Sequence, residues 1–156
     1  MTVEKIDFDA QLEYLRLMYE KNIPFNKLLG FQVETLKPGF VAVKFDMRDE
    51  FIGNYVHGIL HGGVISAVLD ATGGMAASVS ILEKMQGQSV EEIANRLGRI
   101  GTIDLRVDYL RPGRGEHFRS TGTIMRSGNK VAVTRMELHN QKNLLIAVGT
   151  GTYIVG

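Results

Sequence analysis

The 156-residue sequence contains no cysteine, which excludes disulfide bonds, thiol chemistry and zinc sites built on thiolates. It also lacks an excess of either charge: 18 basic and 17 acidic residues leave a net charge of +1, which gives no support to a nucleic-acid-binding surface. The first nine residues do not have the basic and then apolar order of a signal peptide. We therefore expect a cytoplasmic protein.

Internal repeats, low-complexity tracts and interdomain linkers are absent from the sequence as well. Hydrophobic residues make up 44% and charged residues 22%, values typical of globular proteins and unlike those of disordered or fibrous ones. The length suffices for one domain with its own core and is too short for two ordinary domains. We expect a single domain over residues 1–156.

The strongest pattern is an apolar run over residues 64–82. Small or apolar side chains occupy nearly every direction around its helical wheel, which predicts a helix buried inside the protein. The run is long enough to span a membrane, but Asp70, several glycines and several serines within or next to it are unfavourable in lipid. We expect a soluble protein with no membrane span.

Asp70 is the only charged residue in this run. A carboxylate in an apolar interior is costly unless it is paired, hydrogen-bonded or protonated. One interpretation is a structural residue that faces a polar seam or a subunit boundary. The other, which we favour, is a carboxylate held in a cleft for acid or base chemistry.

Two glycines, Gly62 and Gly63, lie where the chain enters the predicted helix. The first N–H groups of a helix lack intrahelical partners and bear partial positive charge, so they can bind a developing oxyanion, although simple loop flexibility would also explain two glycines. Asp70 follows Gly62 by eight residues, or roughly 80° and about 12 Å along a helix. If both groups serve one reaction, one of them must come from a second copy of the chain, which predicts a symmetric dimer.

Gly73 and Gly74 interrupt the middle of the run. Glycine in a helix costs about 1 kcal/mol relative to alanine, so we expect a sheet or another helix to pack closely against this side.

The remaining segments predict an α+β fold. Helical spacing covers residues 7–21, within an N-terminal helical segment over residues 1–24, and a Pro-Gly turn joins strands at 31–36 and 41–47. Residues 83–98 are polar and contain a short helix capped at Ser89. Four strands at 99–110, 117–125, 131–139 and 144–155 follow, separated by turns, and we expect them to form an antiparallel meander. Together they predict a curled sheet around one helix.

A family resemblance rests on Asn54, on His61-Gly62-Gly63 at the start of a long apolar helix, on Asp70 nine residues after His61, and on residues 101–112. This combination resembles the hotdog-fold acyl-CoA thioesterases of the 4-hydroxybenzoyl-CoA thioesterase superfamily, specifically the phenylacetate-pathway-like branch. The resemblance implies a hotdog fold, in which a curled antiparallel sheet wraps around one long buried helix. It also implies a homodimer or homotetramer that hydrolyses acyl-CoA without a cofactor at sites shared between subunits.

The same resemblance assigns roles to individual residues. Asp70 would be the general base or the nucleophile, and the Gly62 amide would polarise the thioester carbonyl. Asn54 and His61 would orient water, the carbonyl or the start of the helix, and Thr102 would help to place the water.

The sequence departs from the family pattern at several points. Asn54 precedes His61 by seven residues where six are expected, so the loop could bulge and His57 could share the role of Asn54. Residues 83–98 are longer than the usual connection and could reshape the acyl pocket. Thr102 has the strand parity of Asp104, opposite to that of the apolar residues between them and beyond.

Coenzyme A has phosphates, which favour nearby arginine or lysine. The candidates are basic residues at turns, although each could be an ordinary solvated charge: Arg111, Arg114, Arg126 and Lys130.

The four histidines of the sequence give no indication of a metal site. The spacing of His57 and His61 could suit a metal, but no acidic third ligand recurs nearby, and we expect none. His117 and His139 lie in predicted strands, and we expect them to face solvent.

Two other functions remain possible for this pattern. A hotdog hydratase or dehydratase would need a histidine paired with a carboxylate across the site, and the Gly-Gly pair followed by Asp70 argues against it. A non-catalytic acyl-CoA-binding module would have no evident need for Asp70.

Overall fold

The computed structural model describes residues 7–156. Its N-terminal segment contains α1 (Phe8–Leu17), one π-helical turn (Met18–Asn22) and α2 (Pro24–Leu29). The Asp7 side chain caps α1 by accepting a hydrogen bond from the Ala10 amide at 2.7 Å. The helix predicted over residues 7–21 is therefore present, and residues 1–6 of the predicted segment lie outside the described residues.

Within residues 7–156 there are eight strands, in chain order β1 (Gln32–Lys37), β2 (Phe40–Asp46), β3 (Ile52–Asn54), β4 (Ile59–Leu60), β5 (Gly101–Tyr109), β6 (His117–Ser127), β7 (Val131–Asn140) and β8 (Leu145–Ile154). Six of them form one antiparallel sheet in the order β1-β2-β6-β7-β8-β5, and β3 pairs with β4 in a separate hairpin. Each predicted strand is present within about two residues of its expected ends.

The long helix α3 (Gly62–Lys84) packs against the sheet, and its residues from Thr72 to Leu82 are buried. Inward-facing side chains of the sheet, among them Phe45, Phe118 and Met136, complete the core. Within the described residues, α3 is the one helix long and apolar enough to cross a membrane, and its burial in this core explains that composition. The α+β hotdog fold, a curled antiparallel sheet around one buried helix, is confirmed.

The expected meander of the last four strands is wrong for β5, which pairs with β8 and not with β6. The reason is the path of the chain: α3 and α4 (Val90–Leu97) take it across the sheet from β2 to the edge beyond β8. The connection after β5 then returns to the middle of the sheet, where β6 pairs with β2. Strands β6, β7 and β8 do follow one another as a meander.

The paired glycines of α3 allow the close packing that the sequence predicts. A Cβ atom at Gly73 would overlap the Tyr153 hydroxyl and would lie 2.8 Å from the Met136 sulfur, both of which belong to the sheet. A Cβ atom at Gly74 would lie 3.4 Å from the Tyr19 hydroxyl. The sheet therefore approaches the helix at Gly73, and the N-terminal segment approaches it at Gly74.

Candidate active site

Asp70 is half-buried on α3, and two hydroxyl groups contact its carboxylate. The Thr102 hydroxyl donates to Oδ1 at 2.9 Å. The Tyr153 hydroxyl lies 3.2 Å from the same Oδ1 and 3.0 Å from the Asp70 backbone carbonyl oxygen. Asp70 is thus a partly buried carboxylate whose cost of burial is offset by hydroxyl donors, and no cation among residues 7–156 forms an ion pair with it.

A cleft of about 310 Å³ opens beside this carboxylate. Its walls are mostly apolar, and Thr102 and Tyr153 of the sheet line one side. The N-terminal segment and α3 contribute Tyr19, Ile23, Phe25, Ala67, Ala71 and Gly74. Burial raises the pKa of Tyr19 to about 12, so this phenol stays protonated at neutral pH. The cleft can therefore bind an apolar chain next to the Asp70 carboxylate.

Thr102 reaches Asp70 because β5 is irregular. The β5–β8 register shifts between Thr102 and Asp104, so Thr102 lies opposite Tyr153, on the face of the sheet that packs against α3. The strand parity that grouped Thr102 with Asp104 and Arg106 is therefore wrong, because one extra residue, Ile103, resets the alternation.

His61 is the N-cap of α3. Its Nδ1 accepts a hydrogen bond from the Gly63 amide at 2.7 Å, and its carbonyl oxygen accepts from Val64 at 3.0 Å and from Ile65 at 3.2 Å. A ring nitrogen that accepts from a backbone amide is unprotonated. Among residues 7–156, no protein acceptor lies within hydrogen-bonding distance of the Gly62 amide, which leaves this N–H available at the positive end of a 23-residue helix.

The start of α3 is fixed by two further contacts. A Cβ atom at Gly53 would lie 2.5 Å from the His61 Cα atom, so the β3–β4 hairpin packs directly on the capping residue. The Tyr109 hydroxyl donates to the Gly62 carbonyl oxygen at 3.1 Å. Together they hold the Gly62 peptide in one orientation.

Gly62 and Asp70 contact opposite ends of β5. Gly62 lies against Tyr109 and Asp70 against Thr102, seven residues earlier, a span of about 20 Å along a strand. On α3 itself Gly62 and Asp70 are eight positions, or about 12 Å, apart along the axis. A single chain therefore does not present both groups to one atom.

Asn54 closes the turn between β3 and β4. Its Oδ1 accepts hydrogen bonds from the Val56 amide at 3.1 Å and the His57 amide at 3.3 Å, and its carbonyl oxygen accepts from Gly58 at 2.9 Å. The register of this hairpin shifts between Ile52 and Asn54, which lies before the segment from Asn54 to His61 where the sequence predicts an extra residue. Both Asn54 and His57 are exposed, and neither contacts Asp70 within the chain.

The four basic candidates divide into two groups. Arg111 donates to the Leu145 carbonyl oxygen at 3.0 Å and Arg114 to that of His57 at 2.9 Å, near the start of α3. Arg126 and Lys130 flank the β6–β7 turn, which Lys84 contacts at the other end of α3. Because a 23-residue helix is about 34 Å long, one chain does not bring the four together.

Two other sequence expectations concern residues away from the cleft. His117 and His139 point to the outer face of the sheet, as predicted, and the His139 Nε2 lies 3.7 Å from the Glu137 carboxylate. The inserted segment 83–98 does not line the Asp70 cleft. Its helix α4 packs beside α1 instead and forms a separate apolar groove there.

Two site residues, Tyr153 and Tyr109, were not predicted from the sequence. Both face α3 from the sheet, and both lie more than 40 residues from the helical positions that they contact. The one local signal is small residues at alternate positions before Tyr153, namely Gly149 and Gly151, which indicate a strand face where something bulky must fit.

Comparison with known proteins identifies several relatives. The family model of the thioesterase superfamily matches residues 57–147. The medium/long-chain acyl-CoA thioesterase YigI of Escherichia coli K12 is 48% identical over 148 residues, covering 95% of this chain and 96% of that protein. A Shewanella oneidensis protein related to the thioesterase superfamily has a crystal structure with 44% identity and a TM-score of 0.91, covering 96% of this chain and 97% of that one.

The PaaI protein from the phenylacetic acid degradation operon of E. coli has the same fold, with a TM-score of 0.74 at 21% identity over 96% of this chain and 94% of that one. The family model and the 48% identity to the E. coli thioesterase confirm the family predicted from the His-Gly-Gly and Asp70 pattern.

Proposed function

Because the chain belongs to the thioesterase superfamily, we propose that it hydrolyses acyl-CoA thioesters to a free acid and CoA. The observation that supports this most directly is the Asp70 carboxylate, held by hydroxyl donors at the mouth of an apolar cleft. Hydrolysis at this site would use a carboxylate, a backbone amide and water, so we propose that no cofactor is required.

We propose that the active unit is a homodimer formed through β5. This strand is at the edge of the sheet, and Ile103 and Tyr109 on it are 53% and 54% exposed. Both edge strands expose charged residues, but β1, at the opposite edge, exposes no large apolar side chain. A two-fold axis through the middle of β5 reverses the strand, so the Thr102 end of one copy lies beside the Tyr109 end of the other.

This arrangement would complete the site. Asp70 lies at the Thr102 end of its own chain and Gly62 at the Tyr109 end, so the two-fold axis would bring Asp70 of one copy towards Gly62 of the other. Each dimer would then contain two sites. Sedimentation measurements would distinguish this dimer from a homotetramer.

In the proposed reaction, the thioester carbonyl oxygen first accepts a hydrogen bond from the Gly62 N–H. Asp70 either removes a proton from the attacking water or attacks the carbonyl carbon itself to form a mixed anhydride. In both routes the helix N-terminus stabilises the oxyanion, an effect that is worth about 10²–10³ in kcat for one donor elsewhere. The tetrahedral species then expels the CoA thiolate. In the general-base route this leaves the free acid, whereas in the nucleophilic route it leaves the anhydride, which water hydrolyses to the free acid and the Asp70 carboxylate.

Isotope labelling separates the two routes. In a single turnover in ¹⁸O-labelled water, general-base catalysis places labelled oxygen in the first acid released. Nucleophilic attack, followed by attack of water on the Asp70 carbonyl carbon of the anhydride, instead leaves an unlabelled Asp70 oxygen in that acid and places the label in Asp70.

We propose that the acyl group is medium or long chain, as the name of the E. coli relative states for that protein. The apolar cleft beside Asp70, walled by Ala67, Ala71 and Gly74, is consistent with an aliphatic chain. We place hydrolysis of this substrate in the cytoplasm, where CoA esters are made and used.

We propose that Arg111 and Arg114, near the start of α3, contact the phosphates of CoA. Replacing both by alanine should raise KM for acyl-CoA but not for the matching N-acetylcysteamine thioester, which has no phosphate. Equal effects on both substrates would contradict this role. The same pair of assays on Arg126→Ala combined with Lys130→Ala tests the second basic group.

The experiment that tests the proposed function is thiol release from acyl-CoAs of graded chain length and from an aryl-CoA, for the wild type and for Asp70→Asn. We expect hydrolysis that peaks at medium or long chains and is lost in the variant. Tight acyl-CoA binding without thiol release would indicate a binding module instead. Water addition to an enoyl-CoA would indicate a hydratase, although the described polar neighbours of the Asp70 carboxylate are hydroxyls and include no histidine.

A further inference from the structure

The hydroxyl contacts of Asp70 fall on one oxygen of its carboxylate. Thr102 and Tyr153 both approach Oδ1, and within residues 7–156 no hydrogen bond to Oδ2 is formed. A carboxylate held at one oxygen keeps its second oxygen free for a ligand. The two oxygens of Asp70 are therefore not equivalent.

Tyr153 is fixed in this contact by the shape of its surroundings. It is 1% exposed, and a Cβ atom at Gly151 would lie 2.6 Å from its hydroxyl oxygen. A Cβ atom at Gly73 would overlap the same hydroxyl. Two glycines, one on the strand and one on the helix, thus leave the space that the phenol group occupies.

The Tyr153 hydroxyl also contacts the helix backbone. Its oxygen lies 3.0 Å from the Asp70 carbonyl oxygen and 3.2 Å from Oδ1, so one phenolic proton is shared between the main chain and the side chain of the same residue. Burial, and after it the negative charge of Asp70, raises the pKa of Tyr153 far above its ordinary value, which keeps this proton in place. The contact restricts the rotation of the Asp70 side chain relative to α3.

We propose that Tyr153 is a positioning residue that, with Thr102, holds Oδ1 of Asp70 and leaves Oδ2 as the oxygen that acts on water or on the thioester. This inference rests on the proposed function, since it assigns the reacting oxygen of the same carboxylate. It extends that function by adding Tyr153, a residue of β8 that acts through Asp70.

The test compares Tyr153→Phe with Tyr19→Phe in thiol release, with kcat and KM measured separately between about pH 5 and about pH 9. Tyr153→Phe should lower kcat about ten- to a hundredfold with little change in KM, as expected for the loss of a hydrogen bond to a charged group. The acid limb of its kcat/KM profile should move to higher pH, because a donor that favours the ionised carboxylate is gone.

Tyr19→Phe is the matched control, because it removes a hydroxyl from the same cleft that is hydrogen-bonded to Ser78 at 3.2 Å rather than to Asp70. Its acid limb should stay at the wild-type pH. A Tyr153→Phe profile that coincides with the wild-type profile, or a shift of equal size in both variants, would overturn the proposal.

The results also distinguish a failure of the Tyr153 role from a failure of the proposed thioesterase function. If the wild type releases no thiol, the proposed function fails. If the wild type is active, Asp70→Asn is inactive and Tyr153→Phe is unchanged, only the role of Tyr153 fails. If Tyr153→Phe does not fold, Gly151→Ala displaces the same hydroxyl without deleting it and must show the same shift for the proposal to stand.

Discussion

A mixture of two inactive variants tests whether the site is shared between chains. The first variant is Asp70→Asn, which removes the carboxylate that we propose to react. The second is Gly62→Pro, which removes the free N–H. Proline suits this position because Gly62 is the first residue of α3, and His61 before it has φ −63° and ψ 135°, an extended conformation compatible with a following proline.

The expected magnitude follows from counting sites. Random reassociation of equal amounts makes about half of the dimers mixed, and each mixed dimer has one site with both native groups and one with neither. About a quarter of all sites are then intact, so the mixture should recover about a quarter of wild-type activity. If Asp70 and Gly62 served one site within a chain, no site would be intact.

The assay is thiol release after the two variants are unfolded together in urea and refolded, beside each variant treated alone. Gly62→Ala is the matched control for proline, since it adds a Cβ atom 3.3 Å from the Tyr109 ring but keeps the N–H. If the Gly62 N–H is the oxyanion donor, as proposed, its loss should lower kcat by about 10²–10³ in Gly62→Pro and by much less in Gly62→Ala. Activity of the mixture no higher than the mean of its parents, with mixed dimers shown to form, would refute the shared site.

Three further predictions concern the packing and chemistry around the cleft. Gly73→Ala should lower the free energy of unfolding by about 1–3 kcal/mol in urea titrations because the new methyl group overlaps Tyr153, whereas Gly74→Ala, with an ordinary contact, should be neutral or stabilising. Burial raises the pKa of Tyr19 from 10.0 to about 12, so the contribution of this phenol to the free energy of unfolding should be constant below pH 10. That free energy should then fall by roughly 2–3 kcal/mol as pH rises from 10 to about 12. In urea titrations at stepped pH, Tyr19→Phe should make this fall smaller. Thr102→Val should lower kcat by about tenfold or more while Thr102→Ser retains most of it, since only the hydroxyl contacts the carboxylate; equal losses in both variants would contradict this.

Much of the fold could be predicted because its signals are local. The start of α3 follows from His61 and two glycines before an apolar run, and the β1–β2 turn follows from Pro38 and Gly39. The position of β5 could not be predicted, because strand order depends on where a long crossover delivers the chain.

The candidate site was predictable only in part for a related reason. Asp70 is a lone charge in an apolar helix, so the sequence suffices to select it as a candidate. The inward orientation of Thr102 depends on a bulge that forms only when β5 pairs with β8. Tyr153 contacts a residue 83 positions away, so neither periodicity nor spacing marks it.

The packing of Tyr153 between two glycines has a consequence for how relatives of this protein can diverge. While the tyrosine is present, a side chain at either Gly73 or Gly151 would overlap its hydroxyl. If a small residue replaced the tyrosine, both positions could accept a side chain. Substitutions at these three sites should therefore be correlated across the family. In an alignment of relatives, residues 73, 151 and 153 should then change together and seldom singly.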